Sequence, residues 1–144
     1  MALYECTLAV EQGADWTQSF TIASPDPSGL NAWDQMVYYN FTGAQVRMQV
    51  RQSFDATSTQ YLILTSSPAA GITLQSMAAP DGPAAPAFNN TVTVTITAAQ
   101  SLAIPAGENW YDAFVDWGSG GTGGAGTHTR LLNGSFQVVQ SNTR

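Results

Sequence analysis

Lysine is absent from this chain, and its positive charge comes from four arginines in 144 residues. Charged residues of both signs make up 10% of the sequence, against about a quarter in an average globular protein, and the formal net charge is −6. A chain with so little positive charge lacks the basic surface with which proteins bind phosphate backbones. We therefore expect no nucleic acid among its partners.

The chain also has one cysteine, Cys6, and one histidine, His128. A single cysteine excludes a disulfide within the chain. A serine or cysteine nucleophile needs an imidazole within reach, and a zinc site needs three or four ligands. His128 follows a glycine-rich segment and is expected to be an ordinary surface residue. These scarcities predict a protein without enzymatic activity, metal or cofactor.

No apolar run approaches the length of a membrane-spanning helix. The first residues carry Glu5 and lack both a basic segment and a cleavage-site pattern, so they do not predict a signal peptide. We expect no membrane partner, and synthesis in a reducing cytoplasm.

Asp112 and Asp116 are the carboxyl pair that most resembles a glycosidase acid and base. Four residues of strand would separate them by about 13 Å, which exceeds the roughly 5 to 9.5 Å that such mechanisms use. We expect them instead to be acids on a solvated face, opposite Arg47 or Arg51 across a strand ladder.

Alternation of β-branched and polar residues is what the sequence has in abundance. Residues 91–97 alternate Thr with Val and Ile, and residues 46–51 alternate apolar with polar side chains. This period of two is typical of strands with one buried face and one wet face, which must meet a second layer. The sequence predicts an all-β fold, an Ig-like β-sandwich of about seven to eight antiparallel strands in one domain spanning residues 1–144. The other strands are predicted at residues 4–10, 15–22, 61–65, 72–75, 108–117 and 127–139, with the 61–65 strand covered on both faces.

Three segments lack this alternation and are predicted to be loops: residues 23–40, 76–90 and a glycine-rich hairpin tip at 118–126. The tip lacks the Gly-Lys-Ser/Thr ending of a phosphate-binding loop. Between two strands, Thr97 and Gln100 have the spacing of a helix-capping box, which predicts one short helical turn.

Aromatic and arginine side chains are the candidates for contact with a partner. Trp110 shares a strand face with Asp112, whereas Tyr111 and Trp117 share the other face, so one of these two faces must be core. The remaining aromatic candidates lie in the first long loop. The candidate contact residues are Trp33, Tyr38, Tyr39, Arg47, Arg51, Trp110 and Arg144.

Several segments together resemble a family of small Ig-like β-sandwich accessory proteins in the virions of tailed bacteriophages and prophages. They are Gln-Gly-Ala-Asp-Trp at 12–16, the arginine strand at 44–51, Pro-Ala-Gly at 105–107 followed by Tyr111 and Asp112, the run at 130–136, and the Asn-Thr-Arg ending. The match spans essentially the whole chain. The resemblance implies a non-enzymatic component of a head, neck, tail or fibre.

Two functional hypotheses follow. The first is a structural virion protein, made in the bacterial host cytoplasm, that docks on a capsid or tail as a decoration, cement, neck, baseplate or fibre-attachment component. Its partners would be other virion proteins, with copies of the chain forming a homo-oligomer or symmetric array. The alternative is a glycan-binding module for adhesion to the host surface.

Overall fold

The computed structural model is a β-sandwich with one helical turn. It describes residues 4–21, 23–25, 36–38, 40–55, 57–67, 69–78, 85, 87–117 and 128–140. Within these ranges the strands are β1 (Tyr4–Glu5), β2 (Leu8–Glu11), β3 (Trp16–Thr21), β4 (Ala23–Pro25), β5 (Met36–Tyr38), β6 (Gln45–Arg51), β7 (Gln60–Ser66), β8 (Ala69–Ala70), β9 (Ile72–Gln75), β10 (Thr91–Ile96), β11 (Gly107–Asp116) and β12 (His128–Val139), and the helix is α1 (Ala98–Leu102).

The strands form two sheets that share one core, and two further strands form a separate ribbon. The large sheet has the order β1-β12-β11-β6-β7-β8, and β2 also pairs with β12. The small sheet has the order β3-β10-β9, and β4 pairs with β5 in the ribbon. This architecture confirms the predicted all-β, Ig-like sandwich with one short helix, but the described residues form twelve strands rather than the predicted seven or eight.

The core lies where the alternation predicted it. Met48 of β6, Val94 of β10 and Val115 of β11 point inward and are at most 2% exposed. They belong to one cluster with residues from both sheets. Burial of each such side chain contributes about 1.5–3 kcal/mol. Apolar burial between the two layers therefore holds the sandwich together.

The chain start departs from the prediction, because residues 4–10 do not form one antiparallel strand. They form β1 and β2, which both pair with β12 in the parallel direction. At the break, the Cys6 N–H donates to the Asn133 carbonyl over 3.0 Å, and the Tyr111 hydroxyl donates to the Cys6 carbonyl over 2.9 Å. Gly134 permits this close approach, since a Cβ there would collide with the Cys6 backbone.

Of the three predicted loops, one contains strands within the described residues. The prediction for residues 23–40 is wrong in part, because β4 and β5 pair there as an antiparallel ribbon. No strand interrupts the described part of residues 76–90. The Asn90 side chain joins the two ends of that segment. It accepts a hydrogen bond from the Met77 N–H and donates one to the Met77 carbonyl, each over 2.9 Å. The glycine-rich tip at 118–126 lies outside the described residues.

The prediction that residues 61–65 are covered on both faces is also wrong. Leu64 is buried, but Ile63 is 43% exposed. Ile63 pairs with Gln49 on the side of the large sheet that faces away from the core. The run lacks alternation because this outward position is occupied by an apolar residue.

The short helix forms as its capping box predicts. The Thr97 side chain accepts from the Gln100 N–H, and the Gln100 side chain accepts from the Thr97 N–H, a cap worth about 1 kcal/mol. The turn at residues 12–15 is hydrogen-bonded to this helix. The Asp15 carboxylate accepts a hydrogen bond from the Ala98 N–H over 2.7 Å. The buried Ser101 hydroxyl donates to the Ala14 carbonyl over 3.0 Å. These bonds fix the helix to the turn that connects β2 of the large sheet with β3 of the small sheet.

Candidate recognition surface

One side of the large sheet faces away from the core and carries many polar side chains. Alternation on β11 turns Tyr111, Ala113 and Val115 inward and leaves the even-numbered side chains outward. The register of β11 with β6 and β12 brings outward residues of all three strands side by side. We call this surface the outer face; its central members are Gln45, Arg47, Gln49, Arg51, Trp110, Asp112, Phe114, Asp116, His128, Arg130, Asn133 and Ser135.

Asp112 lies at the centre of the outer face. Its direct cross-strand neighbours are Gln49 on β6 and Asn133 on β12. The expectation that Asp112 would lie opposite Arg47 or Arg51 is wrong, because Arg47 pairs with Phe114 and Arg51 with Trp110. The two arginines are diagonal neighbours of Asp112 on β6.

Three oxygen atoms near the centre are buried without a hydrogen-bond partner. They are Oδ1 of Asp112, Oδ1 of Asn133 and Oγ of Ser135. Asn133 is 9% exposed as a whole residue. Buried polar atoms normally have a partner, and leaving one unpaired costs about 1–3 kcal/mol. We call these three residues the acceptor row.

The electrostatics of Asp112 follow from its partial burial. Burial raises the pKa of the Asp112 carboxyl above its ordinary value, because it penalises the charged form. The guanidinium groups of Arg130, Arg51 and Arg47, in that order of effect, lower the same pKa without cancelling the rise. Asp112 is therefore not an ordinary acid on a solvated face.

The outer face holds three of the four arginines of the chain, in three different settings. Arg51 is held in place, donating to Gln49 Oε1 over 2.7 Å, to Gln60 Oε1 over 3.1 Å and to the Ser58 carbonyl over 3.1 Å. The guanidinium of Arg130 lies 5.0 Å from the ring centre of Phe114, in cation–π geometry. Positive charge is thus concentrated on one surface of an acidic protein.

The third arginine, Arg47, is exposed and lines a pocket on the outer face. The pocket has a volume of about 450 Å³, which is within the usual range for small-ligand sites. It combines a cation, a carboxylate, an imidazole and two amides around one aromatic wall. Its lining residues are Gln45, Arg47, Gln49, Phe114, Asp116 and His128.

At the other end of the outer face, Trp110 and Phe54 form an aromatic pair. Their ring centres are 6.0 Å apart in an edge-to-face arrangement. Phe54 is 79% exposed, and Trp110 is half-buried. The opposite face of β11 is core, since Trp117 is 1% exposed and stacks on Phe41. Of the two faces considered from sequence, the one with Trp110 is the contact candidate.

The structure brings three of the predicted contact residues together: Arg47, Arg51 and Trp110. The backbone of Tyr38 lies in β5, paired with Ala23. Trp33, Tyr39 and Arg144 lie outside the described residues.

Sequence reasoning did not place Arg130, Asn133 and Ser135 on this face. Their positions differ in parity, so simple alternation cannot place all of them on one face. The pairing of β11 with β12 changes register at this point, because Ala113 pairs with Leu132 whereas Phe114 pairs with Arg130. The extra residue, Leu131, is a bulge that turns Arg130 outward together with Asn133. The signal available in the sequence was the doublet of apolar residues at 131–132.

The outward side of the small sheet has a different chemistry. Hydroxyl groups on β3 and β10 form cross-strand hydrogen bonds in pairs: Thr17 with Thr95 over 3.2 Å, Ser19 with Thr93 over 2.8 Å, and Thr21 with Thr91 over 2.9 Å. The Gln75 amide adds a donor to the Thr93 hydroxyl over 2.9 Å. We call these six residues the hydroxyl ladder. Its side-chain oxygens satisfy one another.

Within the described ranges, no group of three or more His, Cys, Asp and Glu side chains is arranged to hold a metal ion. In the same ranges, no helix has the length and apolar character needed to cross a membrane. The outer face combines hydrogen-bond donors, acceptors and aromatic rings, which are groups that can contact another molecule.

Comparisons with known proteins add little to this geometry. No protein-family model and no curated protein matches the chain. Among solved structures, parallel homodimers of the extracellular domains of the voltage-gated sodium channel beta4 subunit, a protein with a role in cell-cell adhesion, align over 95% of this chain and 92% of theirs. The sequence identity is 13% and the TM-score is 0.35. At that level of similarity, no activity or partner is transferred to this chain.

Proposed function

We propose that this chain is a non-enzymatic structural protein of a tailed-phage virion. It would dock on the capsid or tail as a decoration or cement subunit, or as a neck, baseplate or fibre-attachment component. In this proposal its partners are other virion proteins and further copies of the chain in a symmetric array.

One observation carries the proposal: those segments resembling phage accessory proteins that lie within the described residues are neighbours in space. The segment at 44–51 supplies β6, the segment from 105 to 112 leads into β11, and the run at 130–136 lies in β12. These are adjacent strands of the large sheet. The segment at 12–16 is hydrogen-bonded to α1. The resemblance therefore follows a connected part of the fold rather than scattered positions.

The chemistry of the outer face supports a structural role. The outward polar side chains are arginines, amides and hydroxyls, together with a few carboxyls. Asp112 and Asp116 lie on the same strand separated by four residues, a spacing of about 13 Å along an extended strand. A surface of this kind binds other molecules through shape, charge and hydrogen bonds.

The test is to purify particles of the phage that encodes the chain, quantify the chain by mass spectrometry, and image them by cryo-electron microscopy. We expect a fixed ratio of this chain to the major capsid protein and a density that fits the sandwich. Regular copies over the shell would assign a decoration or cement role, and a ring or appendage would assign a neck or tail role. Absence from particles purified away from host protein would overturn the proposal.

A further inference from the structure

We infer that β3 is a docking edge for a second copy of this chain, whose own β3 pairs with it in the antiparallel direction about a two-fold axis at Gln18. The contact is argued from β3 and the strands around it. It deepens the proposed function by naming a surface where copies of the chain meet, and only its role in a virion rests on that proposal.

The free edge of β3 determines what can bind there. β3 pairs with β10 along its whole length, and no described strand lies on its other edge. In an edge strand, alternate N–H and C=O groups point away from the paired neighbour. Such a row of donors and acceptors is complementary to another extended backbone. The occupant of this edge is therefore a β-strand.

β3 lacks the features that usually protect an edge strand. Charged side chains, proline, bulges and short length all prevent pairing with another chain. β3 has six residues, none of them charged and none proline, and its register with β10 is uninterrupted. The carboxylate next to it in the chain, that of Asp15, is engaged by the Ala98 N–H over 2.7 Å. This edge is open to pairing.

The other edges of the two sheets are shorter, charged or partly covered. β1 and β2 have two and four residues and carry Glu5 and Glu11. At the opposite edge of the large sheet, β8 covers one end of β7 by pairing Ala69 with Ser66. β9, at the second edge of the small sheet, has four residues. Among the described strands, β3 therefore offers the longest uncovered and uncharged edge.

The order of side chains on β3 selects a second copy as the occupant. Residues 16–20 have the same chemical order in both directions: aromatic, hydroxyl, amide, hydroxyl, aromatic. Antiparallel pairing about an axis at Gln18 places Trp16 opposite Phe20 of the second copy, and Thr17 opposite Ser19 of the second copy. Each residue then meets one of its own class. An unrelated strand has no reason to match this order, whereas a second copy matches it by symmetry.

The inward side chains gain contacts in this arrangement. Trp16 and Phe20 are half-buried and pack against the core. Opposite residues of an antiparallel pair have Cβ atoms about 4.5–5.5 Å apart, so each ring would contact a ring of the second copy. Gln18 is exposed although its neighbour on β10, Val94, is 2% exposed. At the axis two Gln18 amides would face each other, and an amide both donates and accepts.

The outward side chains extend the hydroxyl ladder. Thr17 and Ser19 each form one hydroxyl bond with β10. A hydroxyl group has one donor and two acceptor sites, so each can take a further partner. Pairing of Thr17 with Ser19 of the second copy would continue the ladder across the axis. Because β3 is uncharged, no like charges are placed opposite each other, although the chain has a net charge of −6.

The experiment uses the purified full chain and sedimentation velocity. A contact through one strand is smaller than a standard interface, so we expect a reversible monomer–dimer equilibrium between about 10 µM and 1 mM. Hydrogen exchange at the two ends of this range should slow in residues 16–21 at high concentration. Exchange in residues 72–75, at the other edge of the small sheet, should not change.

Charge variants at the axis test the two-fold pairing itself. Gln18→Lys and Gln18→Glu each place like charges opposite each other, so each protein alone should dimerise at least about tenfold more weakly. An equal mixture of the two should recover the dimer, because opposite charges then meet at the axis. Retained far-ultraviolet circular dichroism shows that both variants are folded.

Gln45 of β6 provides the matched control. It is also an exposed glutamine on a strand, but it lies in the large sheet. Gln45→Lys and Gln45→Glu change the net charge by the same amounts. Each should dimerise nearly as the unchanged protein does, and mixing them should give no gain.

The outcomes separate this contact from the virion proposal. A protein that stays monomeric up to about 1 mM, a dimer that Gln18→Lys does not weaken, or a mixture no tighter than its components overturns the contact, even if the chain is present in particles. A dimer that is lost in each Gln18 variant and restored in their mixture supports it, even if the chain is absent from particles. A dimer weakened by Ile63→Lys but not by Gln18→Lys would also overturn it, because the pairing edge would then be β7.

Discussion

The outward sides of the two sheets are both polar, yet they differ in whether their polar atoms are satisfied. In the hydroxyl ladder each oxygen finds a partner on the neighbouring strand. On the outer face, three buried oxygens have none. Each buried unpaired oxygen costs about 1–3 kcal/mol, whereas a surface whose hydrogen bonds are complete bears no such cost. The two surfaces therefore differ in the stability of their polar groups, although both are polar.

The largest effect on stability is expected from a substitution that disturbs the large sheet and leaves the small sheet unchanged. Gly134→Ala places a methyl group against the Cys6 backbone, and overpacking of this kind costs about 1–3 kcal/mol. Because Gly134 lies between Asn133 and Ser135, the acceptor row should be displaced with β1. Urea denaturation should show the loss, and hydrogen exchange should accelerate in residues 4–11 but not in β3. Equal acceleration in both sheets would contradict a local effect.

The hydroxyl ladder should lose stability when one member is removed. Thr91 is 0% exposed, and its hydroxyl donates to Asn90 Oδ1 over 2.9 Å in addition to its bond with Thr21. Thr91→Val keeps the shape but removes both bonds, and should destabilise by about 1–2 kcal/mol. The matched control is Thr95→Val, at an exposed position with one such bond, where the loss should be smaller in chemical denaturation.

The same type of substitution should have the opposite sign on the outer face. Ser135 Oγ is buried without a partner, so Ser135→Ala removes an unsatisfied group and should stabilise the free protein by about 1 kcal/mol. Thermal and urea unfolding check the direction. A loss of stability as large as that of Thr91→Val would show that this oxygen is satisfied in solution, and the contrast between the two faces would fail.

The smallest effect is a pH dependence confined to the outer face. The pKa of Asp112 is raised in the folded protein, so the folded state binds this proton more tightly than the unfolded chain does. Its contribution to stability is complete below the ordinary pKa of 3.8 and is lost as the pH rises through the raised value. Asp112→Asn should remove this slope.

The difference in unfolding free energy between wild type and Asp112→Asn, measured from pH 3 to 7, isolates this carboxyl from others such as Asp55, whose pKa is lowered by its hydrogen bonds to Thr57. A difference that does not change with pH would contradict the raised pKa. The hydroxyl ladder has no ionisable member, so Thr91→Val should give a difference of constant size over the same range.

The sequence predicted the scaffold better than the site, and particular residues explain why. Alternation on β6 and β11 is unbroken, so the outward direction of Arg47, Arg51 and Trp110 followed from parity. On β12 the bulge at Leu131 changes the parity and turns Arg130 to the same face as Asn133. The parallel pairing of β1 and β2 with β12 could not be predicted for another reason. It depends on contact between Cys6 and Gly134, which are far apart in the sequence. Neither effect is encoded in local periodicity.

The pairing of the first strands with the last one also sets an order of events in folding. Leu8 and Tyr4 pair with Phe136 and Leu132 of β12, so β1 and β2 depend on a strand that is synthesised long after them. Until β12 emerges from the ribosome, β1 and β2 have no ladder to join, and β6 and β11 have their inner faces only partly covered. Closing such distant contacts is slow compared with forming local ones. The interval leaves unpaired edges exposed and open to association with other chains. The rate at which β12 docks would therefore set how long these edges stay exposed.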